Sequence, residues 1–204
     1  MQAKTQRLAA QRQALVDGFC LAVEDRGIIG STVVDIVRHA RLSKRTFYEH
    51  FADKEACFVA AYRDLSEQTM QAIAAAVDFE APWQEQIAAA VRVYLEVLDS
   101  RPKLTRACFL GIQAAGVRGI ALRREVLERF AELVRGLVAE ARKREPNLRP
   151  LTSTMAMAMV GGMNELMLLR VEKQMRMADL AETAVTLWKA VVAPTARGEA
   201  GRAR

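Results

Sequence analysis

Three cysteines and two histidines in 204 residues leave little material for disulfide or metal chemistry. Cys20, Cys57 and Cys108 lie far apart and share no CxxC spacing. That argues against a disulfide frame and for thiols kept reduced as small core side chains. With only His39 and His50 beside them, a zinc or iron site lacks ligands, and no cofactor is expected. No nucleophile stands with a base and no carboxylates pair, so the chain does not read as an enzyme. No apolar run approaches the roughly 20 residues of a membrane-spanning helix. The opening "MQAKTQRLAAQRQALVDGFC" is too polar for a secretory signal, so the expected location is cytoplasmic. Nor does any stretch alternate apolar and polar residues for long, which excludes sheet as the main building material.

What remains is a chain 51% hydrophobic and 26% charged, the balance of a globular protein with a real core. Its net charge is +6, and residues 1–52 hold eight basic against five acidic residues, a net +3 in a quarter of the length. That bias points toward a polyanionic partner. Apolar residues recur at three- and four-residue intervals throughout, predicting an all-α fold of about nine helices. The first runs from about 5 to 25 with Leu8, Leu15, Phe19 and Ala22 on one stripe, and Gly27 ends it. Thr32 starts a second, with Asp35 as capping-box partner and Val33, Ile36, Val37 and Ala40 facing inward. Further helices are expected over about 54–77, 83–99, 103–114, 119–144, 151–173 and 178–193. Breaks such as "DFEAPW", "DSRPK" and "EPNLRP" separate them, and residues 194–204 form a tail without apolar periodicity, expected to be disordered.

Between the second and fourth helices lies "LSKRTFYEHFADKEA", residues 42–56. Ser43 is the expected N-cap of a helix of barely two turns, Leu42 and Phe47 have the spacing of a hydrophobic staple, and Asp53 caps the next helix. Two short helices joined by a tight turn, behind a longer one, make a helix-turn-helix over residues 32–51. With Phe47 inward, Lys44, Arg45, Thr46 and Tyr48 face outward. Cations and hydroxyls on a helix that fits a major groove can meet phosphates and base edges together. His39, away from any second ligand, reads as structural.

Residues 9–69 resemble the DNA-binding domain of the TetR family of bacterial transcriptional regulators. The residues that carry this are Phe19, Gly27, Thr32, "VVDIV", "HARLS" and above all "LSKRTFYEHFADKEACFVA". The resemblance implies that Lys44, Arg45 and Thr46 meet base edges or nearby phosphates, while Thr32, Tyr48, His50 and Lys54 hold the phosphate backbone. Arg41 stands where the family usually has glycine. A left-handed conformation there costs on the order of 1 kcal/mol, with a phosphate contact from Arg41 as the possible return.

The domain reading is therefore a DNA-binding domain over 1–52 and a larger helical effector-binding and dimerisation domain over 53–193. By resemblance the last two helices of each subunit form the homodimer interface. Gly161 and Gly162 would permit close approach, with Leu180, Ala184, Leu187, Trp188 and Val191 on one stripe. Seven of the nine methionines fall between 155 and 177, which suits an adaptable apolar cavity. Phe58, Tyr62, Tyr94, Phe109, Gln113, Met155, Met159 and Met163 are its candidate lining, for a neutral or largely apolar small-molecule effector. The arginine-rich seventh helix interleaves glutamates at helical spacing and reads as a solvated, internally paired face. The expected function is a ligand-responsive, homodimeric transcriptional repressor on a palindromic double-stranded DNA operator. The alternative is a helical protein-interaction scaffold that does not bind DNA.

Overall fold

The computed structural model of the protein describes residues 2–114, 116–173 and 176–194. These form nine α-helices and no strand: α1 (Gln2–Gly30), α2 (Val33–Ala40), α3 (Lys44–His50), α4 (Lys54–Ala76), α5 (Trp83–Ser100), α6 (Pro102–Ala114), α7 (Gly116–Ala141), α8 (Ser153–Lys173) and α9 (Met177–Val192). The expected tail lies, after Pro194, outside the described residues.

The punctuation falls where the residue chemistry puts it. Gly27 takes φ 71° and ψ 170°, breaking α1 into a long helix and a short terminal turn. Few residues other than glycine adopt that conformation without strain. Thr32 and Asp35 form the capping box in both directions: Asp35 N–H donates to Thr32 Oγ1 at 3.3 Å, and Thr32 N–H to Asp35 Oδ2 at 3.0 Å. Asp53 caps α4 through the Ala56 N–H at 2.7 Å, and Pro102 sits at the first position of α6, where its missing N–H costs nothing. The break expected around residues 115–119 is shorter than the sequence suggested, since α7 already begins at Gly116 (φ 56°).

The described chain divides into two compact units. One takes in the chain through Thr69 together with Val97–Val126; the other comprises Met70–Glu96 and the described residues from Leu127 onward. The boundaries fall inside α4, α5 and α7, so the units interleave along the sequence.

In the first unit Leu15, Phe19, Ile36, Phe47 and Cys57 are essentially inaccessible to solvent. Full burial of such side chains stabilises by about 1.5–3 kcal/mol each for the larger ones. Gly18 lets α1 and α2 meet: a Cβ there would lie 2.6 Å from Ile36 O and 2.9 Å from Ala40 N. Leu8, expected on the buried stripe, is instead exposed, because α1 starts at Gln2 and its first turns run beyond the core. Glu24 on α1 takes a bidentate ion pair from Arg101 (2.7 and 3.0 Å), and Arg63 of α4 pairs likewise with Glu125.

In the second unit Trp83, Val134, Val138, Leu148, Leu151, Met159 and Val192 share one core cluster. Ile73, Val77 and Ala90 form another, against which Tyr94 and Phe130 pack edge to face with centroids 6.1 Å apart. Local pairing on α7 occurs as the spacing predicted, at Glu132–Arg135, but Glu125 turns to α4 instead.

Candidate nucleic-acid interface

The turn between α2 and α3 is three residues long. Arg41 adopts the left-handed conformation (φ 54°, ψ 39°) at the end of α2. Its N–H reaches Arg38 O at 3.3 Å and the Leu42 N–H reaches Val37 O at 3.0 Å. This is a Schellman-type ending, which usually recruits glycine. Among the described residues Arg41 is the only non-glycine with positive φ, so the strain inferred from the sequence is present.

Ser43 caps α3 as expected, its Oγ accepting from Thr46 N–H at 3.0 Å and lying 2.9 Å from Thr46 Oγ1. Phe47 is the anchor. It is wholly buried, with its ring against Phe51 (5.7 Å) and edge-on to Tyr48 (5.4 Å). A seven-residue helix is marginal by propensity alone; the cap and this one buried ring hold it in place. The opposite face then presents Lys44, Arg45 and Tyr48 to solvent, Tyr48 at 59% exposure. Arg45 is drawn toward Glu49 at 3.1 Å, but that pair is well exposed and contributes little against a phosphate.

The expected contacts around α3 are unequally available. Lys54 Nζ donates to Ile28 O and Ser31 O, both at 2.8 Å, fastening α4 to the end of α1 with two of its three donors. Thr32 gives both its donors to Asp35, the hydroxyl at 2.7 Å, so a phosphate there would have to displace the capping carboxylate. His50 is half-buried with Nε2 sealed from solvent; a phosphate contact through that nitrogen requires the ring to turn. Arg41, Lys44, Arg45 and Tyr48 remain exposed, and Thr46 is half-exposed. His39 Nε2 lies 3.1 Å from Asp25 Oδ2, a structural position.

Asp35 holds this arrangement together. It is buried, capped by Thr32 and flanked by Arg26 at 3.3 Å and Arg38 at 3.2 Å. The Thr32 hydroxyl bond, helped by the Thr32 N–H and the two guanidinium groups, holds its carboxyl below the usual 3.8. Sequence reasoning misses the roles of Gly18 and of the Lys54 clamp. A glycine inside an apolar helical stripe is the available signal for the first.

The candidate effector and dimer residues divide by unit. Phe58, Tyr62, Phe109 and Gln113 belong to the first and Tyr94, Met155, Met159 and Met163 to the second. Phe58, Met159 and Met163 are buried, Tyr62, Tyr94, Phe109 and Met155 half-buried, and Gln113 exposed. On α8 and α9 the residues of the expected stripe differ in exposure. Leu180 and Ala184 are enclosed within the subunit, at 1% and 0% exposure, whereas Leu187 is 46% exposed. Trp188 and Val191 are half-buried against the second unit's core. Gly161 and Gly162 are half-exposed, and an added Cβ on either would touch nothing.

Residues 23–61 match the family model described as bacterial regulatory proteins, tetR family. The chain is 28% identical over 114 residues to the HTH-type transcriptional regulator BetI of Rhizobium meliloti (strain 1021). That match spans little more than half of each protein, 56% of either length. Among solved structures the fold resembles the transcriptional regulator FadR from Bacillus subtilis in complex with stearoyl-CoA, with TM-score 0.70 and 17% identity over 88% of this chain and 98% of that one. The fatty acid degradation regulator FadR from Bacillus halodurans is similar, with TM-score 0.70 and 18% identity over 87% and 93% of the two chains. At these identities the likeness is one of fold.

Proposed function

We propose that the chain is a regulator of the TetR family, a reading supported by the match over residues 23–61 and by the BetI relative, and that it is a homodimeric transcriptional repressor released from its operator by a small, largely apolar effector. The observation that carries the DNA-binding reading is α3 itself. Its one buried ring, Phe47, fixes which way the helix faces and turns Lys44, Arg45 and Tyr48 outward.

One such helix covers only a few base pairs, so affinity requires two copies on half-sites about 34–36 Å apart or a multiple of that. The half-exposed glycines of α8 and the exposed Leu187 of α9 are the positions through which a second subunit would pack. For the effector, the support is the methionine-rich α8, with Met155, Met159 and Met163 along it; the structurally similar Bacillus subtilis regulator is in complex with stearoyl-CoA, whose acyl chain is apolar although its headgroup is charged. Release follows from linkage: an effector that prefers the DNA-incompetent state weakens DNA binding by the factor by which DNA weakens its own.

The test begins by selecting bound fragments from genomic DNA and measuring affinity for the enriched site. Lys44→Ala and Tyr48→Ala should each weaken it by about tenfold or more, from contacts worth roughly 1–3 kcal/mol. Unchanged affinity in both variants would remove α3 from the interface. A series of neutral, largely apolar small molecules, titrated into the complex with a long-chain acyl-CoA series beside it, tests the effector class: at least one of the neutral ligands should dissociate the complex, and dissociation by the anionic acyl-CoAs alone would overturn the apolar class.

A further inference from the structure

We propose that the helical arm Gln2–Ala14 is a second DNA contact, a cationic rod that engages phosphates flanking the segment read by α3; this rests on the reading of α3 given above. The arm is the first half of α1. None of its thirteen residues is buried, and the first fully buried side chain is Leu15. At 1.5 Å per residue it is about 20 Å long, and from Gln2 through Ala10 every residue is exposed.

Its charge pattern works against its own stability. Lys4 and Arg7 stand in the first two turns, Arg12 follows, and no acidic residue appears before Asp17. Cations at a helix N-terminus oppose the macrodipole, and isolated helices of this length are marginal. A face that merely meets water does better by interleaving signs, as α7 does with Glu132 and Arg135. Among the described residues Lys4 and Arg7 pair with no carboxylate. An external polyanion is the partner that turns this pattern from a cost into a gain.

The arm's base is fastened beside the reading helix. The Arg12 guanidinium lies over the Phe51 ring, 5.7 Å from its centroid, and 3.5 Å from Asp64. Phe51 is the residue that ends α3. From that anchor at Arg12 the arm runs back to Gln2, about 15 Å, the equivalent of about four base pairs at 3.4 Å each. Duplex DNA, already the proposed partner of the adjoining helix, is the polyanion within that reach. The contact is electrostatic and adds affinity without sequence preference.

The experiment compares the full-length protein with Lys4→Gln/Arg7→Gln on the selected duplex over a salt series. Glutamine keeps the helix propensity, and a circular dichroism spectrum checks the fold. Taking two cations off the phosphates should lower the salt slope by about 1.8, so the affinity gap narrows by about tenfold between 50 and 200 mM salt. Discrimination between the site and random DNA should stay the same, and trimming the duplex flanks by about six base pairs should abolish the gap. A control with equal charge loss, Lys143→Gln/Lys173→Gln in the other compact unit, should leave the slope unaltered. If the wild type binds and the arm variant matches its slope, or the control falls equally, the arm proposal is overturned while the reading of α3 stands. If the wild type binds no duplex at low salt, both fall.

Discussion

Asp35 shows how one side chain can organise a binding surface it does not itself form. Its carboxylate closes the capping box of α2 and collects Arg26 and Arg38 while buried. The spacing from Thr32 was readable in the sequence; the burial and the Arg26 contact were not, because they depend on where α1 ends. Since the folded state depresses this carboxyl's pKa below 3.8, its contribution to stability is present above that pH and is lost as the pH falls through the lowered folded value. The melting temperature of the wild type should therefore exceed that of Asp35→Asn at neutral pH. The difference should shrink steadily below about pH 4, as followed by thermal denaturation across pH. A difference constant down to pH 2 would contradict the assigned role. Arg41 was legible only through the resemblance, because it stands where the family usually has glycine; the left-handed helix end it occupies (φ 54°) carries the strain that substitution implies.

At the scale of elements, Gly18 and Phe47 fix where α2 and α3 lie. Two effects oppose each other at Gly18. Alanine has the better helix propensity by about 1 kcal/mol, yet its Cβ would fall 2.6 Å from Ile36 O. That contact is backbone, so no rotamer change relieves it, and overpacking of this kind costs about 1–3 kcal/mol. A contact this short with backbone lies toward the upper end of that range, so the clash wins: Gly18→Ala should lower unfolding stability by up to about 2 kcal/mol net. It should also weaken DNA binding by shifting α2 under α3. Urea denaturation and operator affinity measured on the same variant check both. A gain in stability would mean that the two helices separate freely.

At the scale of the whole molecule, three cysteines scattered in sequence all enter the core of one compact unit. Burial pushes the thiols up to about 11 for Cys20 and about 12 for Cys57 and Cys108. At pH 8 almost no thiolate exists in the folded protein, so a thiol reagent should label none of the three until denaturant is added, when all three react. Fast labelling of the native protein would place at least one of them at the surface. The dimer face is tested by contrast. Leu187→Asp, at an exposed position, should shift the protein to monomers in analytical ultracentrifugation with its helix content intact. Leu180→Ala, fully enclosed, should cost about 2–5 kcal/mol of stability without the same shift in assembly.

Helix number, caps and the outward set of α3 were determined by the sequence, because periodicity, capping residues and a buried aromatic act over a few neighbouring positions. Thr32, Ser43, Asp53 and Phe47 all behave as their local chemistry requires. What covers an apolar stripe depends on distant residues. Periodicity put Leu8 on the buried stripe of the first helix, and the resemblance put Leu180 on a dimer stripe, yet Leu8 is exposed and Leu180 is enclosed within its own subunit. For the same reason Lys54 turned out to be a clamp on two carbonyls of the α1–α2 junction. Its partners stand 23 and 26 residues away, and only the packed tertiary structure brings them within hydrogen-bonding distance.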